Sequence, residues 1–514
     1  MEPVLPPTRR QPLFGMSATR EIEQRAAATL PAHTLMRRAG EAVAKLALAI
    51  APHARSVWIA AGPGNNGGDG LEAATQLQRL GKRVHVTLAA DANRLPADAQ
   101  DALGRAQAAG VTLTNQGWPA LDEDDLAIDA LLGIGASRAP QGPMAALIAR
   151  LNALACPVLS IDVPSGLSAD TGQALGGACV VAQHTLALLT LKPGLFTGAG
   201  RDYVGRVWLE TLGVDSRTDT PDAWLAGPHD GLALTPTRRH AQHKGSFGDV
   251  AIVGGAPGMT GAALLAARAA LAAGAGRVFV NLLDGAAATS LTHDLAQPEL
   301  MFRPAWTTSD AAVLAASTVV CGCGGGDAVR GVLPRLLSRV PRLVLDADAL
   351  NAIAADTLLQ SLLRARRGAG HTTVLTPHPL EAARLLSQTT ATVQSDRLAA
   401  AQELARRFGC VVLLKGSGTV VAAPGEVASI NPTGNASLAS AGTGDVLAGW
   451  LGGCWSQAAA FATVAGSTAF GVTVAAAFRH GAAANDAAQS PLRASELIDR
   501  MHDRQRDSGG AVQP

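Results

Sequence analysis

Short apolar runs alternate with alanine- and leucine-rich helical segments along most of the chain. The runs are rich in valine, isoleucine and leucine and end at glycine, proline or aspartate. Such runs are typical of parallel strands buried on both faces, and the segments between them fit crossover helices. The pattern therefore predicts an α/β protein. The predicted strands are 56–61, 83–89, 126–133, 157–163, 249–255, 277–283, 317–322, 342–348, 372–378 and 410–416.

A polar, proline-containing stretch at about 214–242 separates two halves of the chain. A length of 514 residues exceeds what one ordinary core accommodates, so two domains are expected. We predict domains at 15–215 and 239–505, joined by a linker at 216–238. The halves are not evident repeats of each other, which predicts two different α/β folds.

The net charge of the chain gives no indication of a strongly charged partner. The 42 basic residues nearly equal the 41 acidic ones, which gives no electrostatic argument for nucleic acid or a membrane surface.

The uncharged run 446–478 is long enough to span a bilayer, but glycine and polar residues interrupt it, which favours buried helices. Six scattered cysteines fit reduced thiols, and prolines near the N-terminus argue against a signal peptide. We expect a soluble, cytoplasmic protein that forms a homo-oligomer.

The first half carries a glycine-rich turn directly after the strand at 56–61. The sequence GPGNNGGDGL at 62–71 satisfies G-x-G-x-x-G, so a dinucleotide-binding turn has to be considered, although this motif alone is weak. Asn65, Asn66 and Asp69 are more than a plain glycine turn needs. Their amide and carboxylate oxygens suit a hard cation or a ribose and phosphate group.

Two further strand ends in this half carry polar residues. Asp129 precedes a second glycine loop at 133–139, and Asp162 precedes a turn that contains Ser165. Ligands of parallel α/β sheets bind at the carboxyl ends of strands, so these groups are predicted to converge. Lys192 either supplies a cation to this site or is an ordinary exposed lysine.

The three motifs of the first half resemble the signatures of the NAD(P)H-hydrate epimerase family over roughly 15–215. The resemblance implies a Rossmann-like three-layer α/β/α domain, in which Asp162 is the acid–base residue. It also implies a potassium ion held by Asn66, Asp129 and Ser165. One departure is GIGASRA at 133–139, where relatives often read GTGLSRP. The implied contacts of the hydrated dinucleotide are Asn65, Asn66, Gly67, Gly68, Asp69, Gly133, Ile134, Gly135, Ala136, Ser137, Arg138, Ala139 and Asp162.

The second half ends its series of motifs with AGTGDVLAG at 441–449. Glycines let the backbone approach a phosphate, and a helix N-terminus directs free N–H groups toward it. Asp445 lies in the first turn of that helix, where its carboxylate is placed to accept a proton from a bound hydroxyl. The alternative for this motif alone is an ordinary helix cap. His378, between two prolines, and Lys415, beside glycines, are further candidate ligand contacts.

Six motifs in order, HKGSFG, GMTGAA, LDADALN, TPHP-E, KGSGT and NPTGN…AGTGD, resemble the ribokinase-like superfamily. Within it they resemble the ADP/ATP-dependent NAD(P)H-hydrate dehydratases, over roughly 230–500. The sequence GCGGG at 322–326 and Leu380 depart from the usual GPGLG and TPHPGE. The resemblance implies nucleotide contacts at Lys415, Gly416, Ser417, Gly418, Thr419 and Gly444, and hydrate contacts at Gly261, Ala262, Gly326, His378 and Asp445.

Together the resemblances imply repair of NAD(P)HX, the hydrate of NAD(P)H. The first domain would interconvert the R and S forms. The second would dehydrate the S form at the expense of ADP or ATP, with Mg²⁺, through transient phosphorylation of the ring hydroxyl. Asp445 would act as the base in that step. The alternative is a vitamin or sugar kinase fused to a Rossmann-like nucleotide-binding regulatory domain.

Overall fold

The computed structural model describes residues 1–228, 230, 238–285, 291–460, 468–485 and 490–510. The chain divides into two compact units, one formed by residues 1–8 and 12–224 and the other by residues 9–11 and 225–514. Each unit is built on a mainly parallel sheet with helices. The predicted α/β architecture in two units is therefore confirmed.

The strands cover all ten predicted segments and add several short ones. In chain order they are β1 (Glu2–Pro3), β2 (Gln11–Leu13), β3 (Ser56–Ala61), β4 (Arg83–Leu88), β5 (Thr112–Thr114), β6 (Leu126–Ala130), β7 (Val158–Ile161), β8 (His184–Leu188), β9 (Arg206–Glu210), β10 (Ala223–Leu225), β11 (Asp249–Gly254), β12 (Arg277–Leu282), β13 (Met301–Phe302), β14 (Ser317–Cys321), β15 (Arg342–Leu345), β16 (Thr372–Leu375), β17 (Val411–Leu414), β18 (Val420–Ala422) and β19 (Ala428–Ile430).

The helices lie mostly between consecutive strands. They are α1 (Met16–Ala27), α2 (Thr34–Ile50), α3 (Asn65–Arg79), α4 (Ala97–Ala108), α5 (Pro143–Asn152), α6 (Gly200–Tyr203), α7 (Thr260–Ala272), α8 (Ala311–Ala316), α9 (Val329–Arg339), α10 (Asp348–Ala354), α11 (Thr357–Gly368), α12 (Pro379–Leu386), α13 (Thr390–Ser395), α14 (Arg397–Phe408), α15 (Thr443–Ala460), α16 (Ala469–Asn485) and α17 (Ala494–Gly510).

The first sheet has the strand order β1-β9-β8-β7-β6-β3-β4-β5. All neighbours pair in parallel except β1 with β9. The central strands are buried, as expected for apolar runs covered on both faces. Because β3, β6, β7 and β8 run in the same direction, the residues that follow them meet at one edge of the sheet.

The second sheet has the order β13-β12-β11-β14-β15-β16-β17-β18-β19-β10-β2. The strands from β13 to β17 are parallel, whereas β18 pairs antiparallel with β17 and with β19. The turn between β17 and β18 is the predicted KGSGT turn. The carboxyl ends of β14, β15, β16 and β17 lie side by side, which assembles the second site.

Glycines set the contact between α15 and α7. A Cβ at Gly449 would lie 2.0 Å from the Ala266 carbonyl oxygen, and one at Gly453 would lie 2.5 Å from the Ala270 carbonyl oxygen. Only glycine lets the two backbones approach this closely. The predicted uncharged run thus begins with a buried core helix, and its residues 461–467 lie outside the described residues.

The helices, the cysteines and Ala263 can each be compared with what the sequence indicated. None of the helices in the described part of the chain has the length and apolar content that a bilayer crossing requires. All six cysteines are buried, unpaired thiols, as predicted. Ala263, at the start of α7, is fully buried in the core, so it packs against the protein interior.

Candidate active sites

The first unit contains a cavity of about 650 Å³ at the carboxyl edge of its sheet. Its wall includes the start of α3, the loop after β6 and the residues that follow β7 and β8. Of the residues predicted to contact a dinucleotide, those in the wall are Asn65, Asn66, Asp69, Gly133, Ile134, Gly135, Ala136 and Asp162. The predicted Gly67, Gly68, Ser137, Arg138 and Ala139 lie outside it.

Two glycines of the first motif serve the packing of the turn. A Cβ at Gly67 would lie 2.1 Å from the Gly62 carbonyl oxygen, and one at Gly68 would lie 2.5 Å from Cε of Met36. Gly67 therefore needs glycine for the close approach of two backbone segments, whereas at Gly68 the contact is with the flexible end of a side chain. The polar members Asn65, Asn66 and Asp69 are the part of this motif that faces the cavity.

Asp162 occupies a left-handed conformation at the end of β7, with φ of 69°. This conformation is uncommon for a residue with a side chain, and such residues concentrate at functional sites. One carboxylate oxygen accepts hydrogen bonds from Lys192 Nζ and from the Leu188 amide, and the other accepts one from the Ile134 amide at 3.2 Å. Lys192 is fully buried and also donates to the Leu188 carbonyl oxygen at 2.7 Å. It is therefore part of the site, and the exposed alternative is excluded.

Asp129 and Ser165 form a buried cluster beneath the loop at 133–139. The Ser165 hydroxyl donates to Oδ1 of Asp129 at 2.6 Å, and its amide donates to Oδ2 at 2.8 Å. Ser160 donates to Oδ2 at 2.9 Å, and the Leu131 amide to Oδ1 at 3.2 Å. Burial raises the pKa of Asp129 although these bonds act to lower it. Asn66 lies beside Gly133 and Asp162, because a Cβ at Gly133 would be 3.3 Å from both Asn66 Oδ1 and Asp162 Oδ2.

Two other carboxyl groups face the cavity. Burial raises the pKa of Asp69 well above its usual range, and the negative charge of Asp162 adds to the rise. Burial and the same charge raise the pKa of Glu23. Glu23 and Arg20 come from α1, which carries no recognisable motif, so sequence reasoning missed them. The available signal was weak, namely that Thr19, Glu23 and Ala27 recur at helical spacing.

In the second unit, Asp346 follows β15 and accepts hydrogen bonds from residues that follow the next two strands, β16 and β17. Lys415 Nζ, after β17, donates to Oδ1 of Asp346 at 2.6 Å. The Thr376 hydroxyl, after β16, donates to the same oxygen at 2.7 Å. Burial acts to lower the pKa of Lys415, but the carboxylates of Asp346 and Glu381 outweigh it and raise the pKa. The lysine therefore stays charged.

Asp445 lies next to this pair, in the first turn of α15. Ligand atoms of Cys323, Asp346 and Asp445 all lie within 4.8 Å of one another. Burial raises the pKa of Asp445 to about 6, and the charge of Asp346 adds to the rise. Burial and the charge of Asp445 raise the pKa of the Cys323 thiol well above its usual range, so the thiol stays protonated. The GCGGG departure thus places a sulfhydryl beside the predicted base.

His378 forms the N-cap of α12. Its Nδ1 accepts hydrogen bonds from the amides of Leu380 and Glu381, at 3.1 and 3.3 Å. The Glu381 carboxylate in return accepts one from the His378 amide at 2.8 Å. Burial lowers the pKa of His378, so the ring is neutral at physiological pH, while burial raises the pKa of Glu381 to about 7. Nε2 of the half-exposed ring lies 3.2 Å from Oε1 of Glu381, so both ring nitrogens face groups of the same helix turn.

The remaining predicted contacts fall in two groups. Residues 416–419 form the turn between β17 and β18, and a Cβ at Gly444 would lie 3.5 Å from Lys415 Nζ. The other group comprises Gly261 and Ala262 in the first turn of α7 and Gly326 after β14. The Gly326 amide donates to the Asp348 carboxylate at 2.8 Å, and Met259 contacts the same loop.

Family comparisons match both halves. A family described as "NAD(P)H-hydrate dehydratase" matches residues 250–504, and one described as "YjeF-related protein N-terminus" matches residues 32–194. The bifunctional NAD(P)H-hydrate repair enzyme of Escherichia coli is 38% identical over 504 residues, covering 93% of this chain and 93% of that protein. The chain belongs to the family of bifunctional NAD(P)H-hydrate repair enzymes.

Other relatives have the same domain pairing. The bifunctional NAD(P)H-hydrate repair enzyme of Leishmania braziliensis is 39% identical over 524 residues, covering 94% of this chain and 91% of that protein. Among solved structures, the ADP/ATP-dependent NAD(P)H-hydrate dehydratase of Bacillus subtilis, co-crystallised with ATP and Mg²⁺, aligns with 26% identity and a TM-score of 0.44. That alignment covers 54% of this chain and 95% of the other.

Membership of this family confirms the predicted pair of activities, epimerisation and dehydration of NAD(P)H hydrates. The alternative of a vitamin or sugar kinase with a regulatory domain is not supported. The roles of individual residues stay predictions that the geometry now makes specific.

Proposed function

We propose that Asp162 moves the proton in the epimerase site and that Asp445 accepts the proton in the dehydratase site. The observation that supports this division is the different environment of the two carboxylates. Lys192 holds Asp162 directly, at the wall of a cavity large enough for a dinucleotide. Among the described residues no lysine pairs with Asp445, because Lys415 pairs with Asp346.

In the second unit, phosphorylation turns a poor leaving group into a good one. The ring hydroxyl oxygen attacks the terminal phosphorus of ATP or ADP, the bond to the departing nucleotide breaks, and the hydroxyl proton passes to Asp445. The carbon–oxygen bond then breaks as the neighbouring ring carbon loses a proton, which releases phosphate and restores the dihydronicotinamide. Amide groups at the start of α15 and Lys415 face the charge that develops on the phosphoryl group. The net change is loss of water from the hydrate with hydrolysis of one nucleotide.

Asp346 and Asp445 are suitable ligands for Mg²⁺. Their carboxylate oxygens are hard donors, whereas the Cys323 thiol is not a ligand that Mg²⁺ prefers. The ion would supply positive charge to the nucleotide phosphates. Lys415 occupies Oδ1 of Asp346, and Oδ2 has only the weak contact of the Cys323 thiol at 4.0 Å, so Oδ2 is the oxygen that would bind the ion.

The oxygen atoms at Asp129 are also suitable ligands for a monovalent cation. All four hydrogen bonds that Asp129 accepts come from neutral groups. In Asn66 the oxygen Oδ1 is the atom that can ligate a cation, whereas the buried Nδ2, which has no hydrogen-bond partner among the described residues, can only donate to an acceptor such as a bound ligand. We propose that Asn66, Asp129 and Ser165 would hold potassium, whose charge would offset the buried carboxylate.

Three properties complete the proposal. Six unpaired thiols support the cytoplasm as the compartment, and a net charge of +1 gives no reason to expect binding to nucleic acid or a membrane. The protein is also expected to form a homo-oligomer, and light scattering of the purified protein tests this expectation.

The decisive experiment incubates the purified protein with both NADHX epimers and ATP or ADP, and follows the absorbance of the reduced nicotinamide. Complete recovery of both epimers is expected. No recovery with either nucleotide would overturn the dehydratase proposal, and recovery of one epimer only would overturn the epimerase proposal. Replacing K⁺ by Na⁺ is expected to slow epimerisation alone.

A further inference from the structure

The first unit's cavity receives three polar side chains from α1, a helix that precedes the family match at residues 32–194. Thr19, Arg20 and Glu23 all line the cavity. A Cβ at Gly135 would lie 3.1 Å from Nη2 of Arg20, so the guanidinium lies over the backbone of the glycine loop at 133–139. No residue role assigned above includes Arg20.

The charges of the wall make Arg20 the available cation for an anionic ligand. Lys192 is fully buried and bonded to Asp162 and to the Leu188 carbonyl oxygen. His33 lies 2.6 Å from a carboxylate oxygen of Asp98. Arg20 is exposed to solvent and forms no ion pair with any residue in the described part of the chain. The charged and titratable residues of the wall are Arg20, Glu23, His33, Asp69, Asp98, Asp162 and Lys192.

A dinucleotide hydrate brings a negatively charged pyrophosphate into a wall that already carries four carboxyl groups. Binding in this cavity therefore needs a fixed positive charge near the phosphates. A guanidinium presents several N–H donors in a rigid plane and suits paired phosphate oxygens better than a lysine ammonium. In the loop beside Arg20, the Ile134 amide already donates to Asp162 and the Ala136 amide to the Gly133 carbonyl oxygen, so Arg20 is the donor left for an anion on this side of the cavity.

We propose that Arg20 binds a phosphate of the dinucleotide hydrate in the epimerase site and thereby determines affinity for the whole cofactor. The inference rests on the proposed epimerase function of the first unit. It adds a substrate contact from α1, outside the motifs that carry the family resemblance. Since Arg20 contacts the phosphate in both the bound and reacting states, its loss changes KM and leaves kcat unchanged.

The test uses the full chain without nucleotide, so that the dehydratase is silent. One purified NADHX epimer is supplied, and formation of the other is followed by chromatography. We expect Arg20→Ala to raise KM by about tenfold to a hundredfold, the usual cost of losing a charged hydrogen bond, and Arg20→Lys to recover part of it. Arg25→Ala is the matched control, because Arg25 is on the same helix and pairs with Asp219 outside the cavity.

A hydrate of the phosphate-free nicotinamide nucleoside separates phosphate binding from a structural effect. With this substrate, wild type and Arg20→Ala are expected to have the same kcat/KM. An equal loss on both substrates, a loss in kcat alone, or an unchanged KM for NADHX would overturn the proposal. An unchanged kcat/KM on the phosphate-free hydrate also shows that the first unit of the variant is folded, which dehydration of the S epimer by the second unit would not report. Wild-type protein without any epimerase activity would overturn the proposed function itself, which is a distinguishable result.

Discussion

Both units place a lysine among aspartates at the carboxyl edge of a parallel sheet, but the two lysines bind different partners. Lys192 bonds to Asp162 itself, the proposed acid–base residue. Lys415 bonds to Asp346, a neighbour of the proposed base Asp445. The contrast shows how one pair of residue types yields two environments. Lys192 holds the Asp162 carboxylate in place, whereas burial and the charge of Asp346 raise the pKa of Asp445 to about 6 although Lys415 acts to lower it.

The largest effect is expected from Asp445→Asn. An amide cannot accept the hydroxyl proton, so dehydration of the S epimer should fall by about 10²- to 10⁴-fold, while epimerisation continues. Nucleotide-dependent recovery of the reduced-nicotinamide absorbance measures the first, and chromatography the second. Asp356→Asn, which changes a helix-capping aspartate outside the site, is the control. Retained dehydratase activity would show that Asp445 is not the base.

Lys192→Met tests whether the first unit depends on its direct ion pair. The change leaves the Asp162 carboxylate buried without its cation, which typically costs about 3–5 kcal/mol of unfolding free energy. Urea unfolding of the variant measures this cost. Adding Asp162→Asn in the same chain should restore part of the stability, since no charge then remains unpaired. A single variant as stable as wild type would contradict the proposed importance of this contact.

Asp162→Asn should lower epimerisation by about a hundredfold, at the low end of the usual range because Asp69 and Glu23 still offer protons in the cavity. Dehydration of the S epimer should not change. Asp91→Asn, an exposed residue that caps a short turn, is the matched control. If both epimers still disappear at the wild-type rate, the first unit is a regulatory module.

The smallest effects are shifts in pH dependence. A base must be deprotonated, so dehydratase kcat should rise with pH, tenfold per unit below about 6, and level off above it. Asp346→Asn removes a negative charge that raises the pKa of Asp445, which should move the midpoint to lower pH. Cys323→Ala removes a hydrogen bond that lowers this pKa, which should move it higher. Two shifts in the same direction would contradict this account.

The sequence predicted the ten central strands and the residues at their ends because apolar runs and glycine motifs are local signals. It also predicted that Asn66, Asp129, Asp162 and Ser165 converge, since parallel strands share one carboxyl edge. It did not predict which partner each lysine takes. That choice depends on strand register and side-chain reach, as the Lys415 contact with Asp346 shows.

Other site residues could not be predicted from the local sequence, because tertiary contacts place them in the site. Arg20 and Glu23 reach the cavity from a helix with an ordinary amphipathic sequence, and only the tertiary fold brings them there. Gly67 shows a role that the motif did not indicate, because a Cβ there would meet the Gly62 carbonyl oxygen, while ligand contact by Gly67 and Gly68 stays a prediction.

The backbone contact between α15 and α7 has a consequence for how this family can vary. Gly449 and Gly453 seat the helix that carries Asp445 directly on the carbonyl oxygens of the helix that begins at Thr260. No side chain stands between them, so substitutions elsewhere cannot act as spacers that change the distance between the base and the first turn of α7. Surrounding loops are then free to diverge, as GCGGG and Leu380 have here, while the inherited chemistry keeps its position.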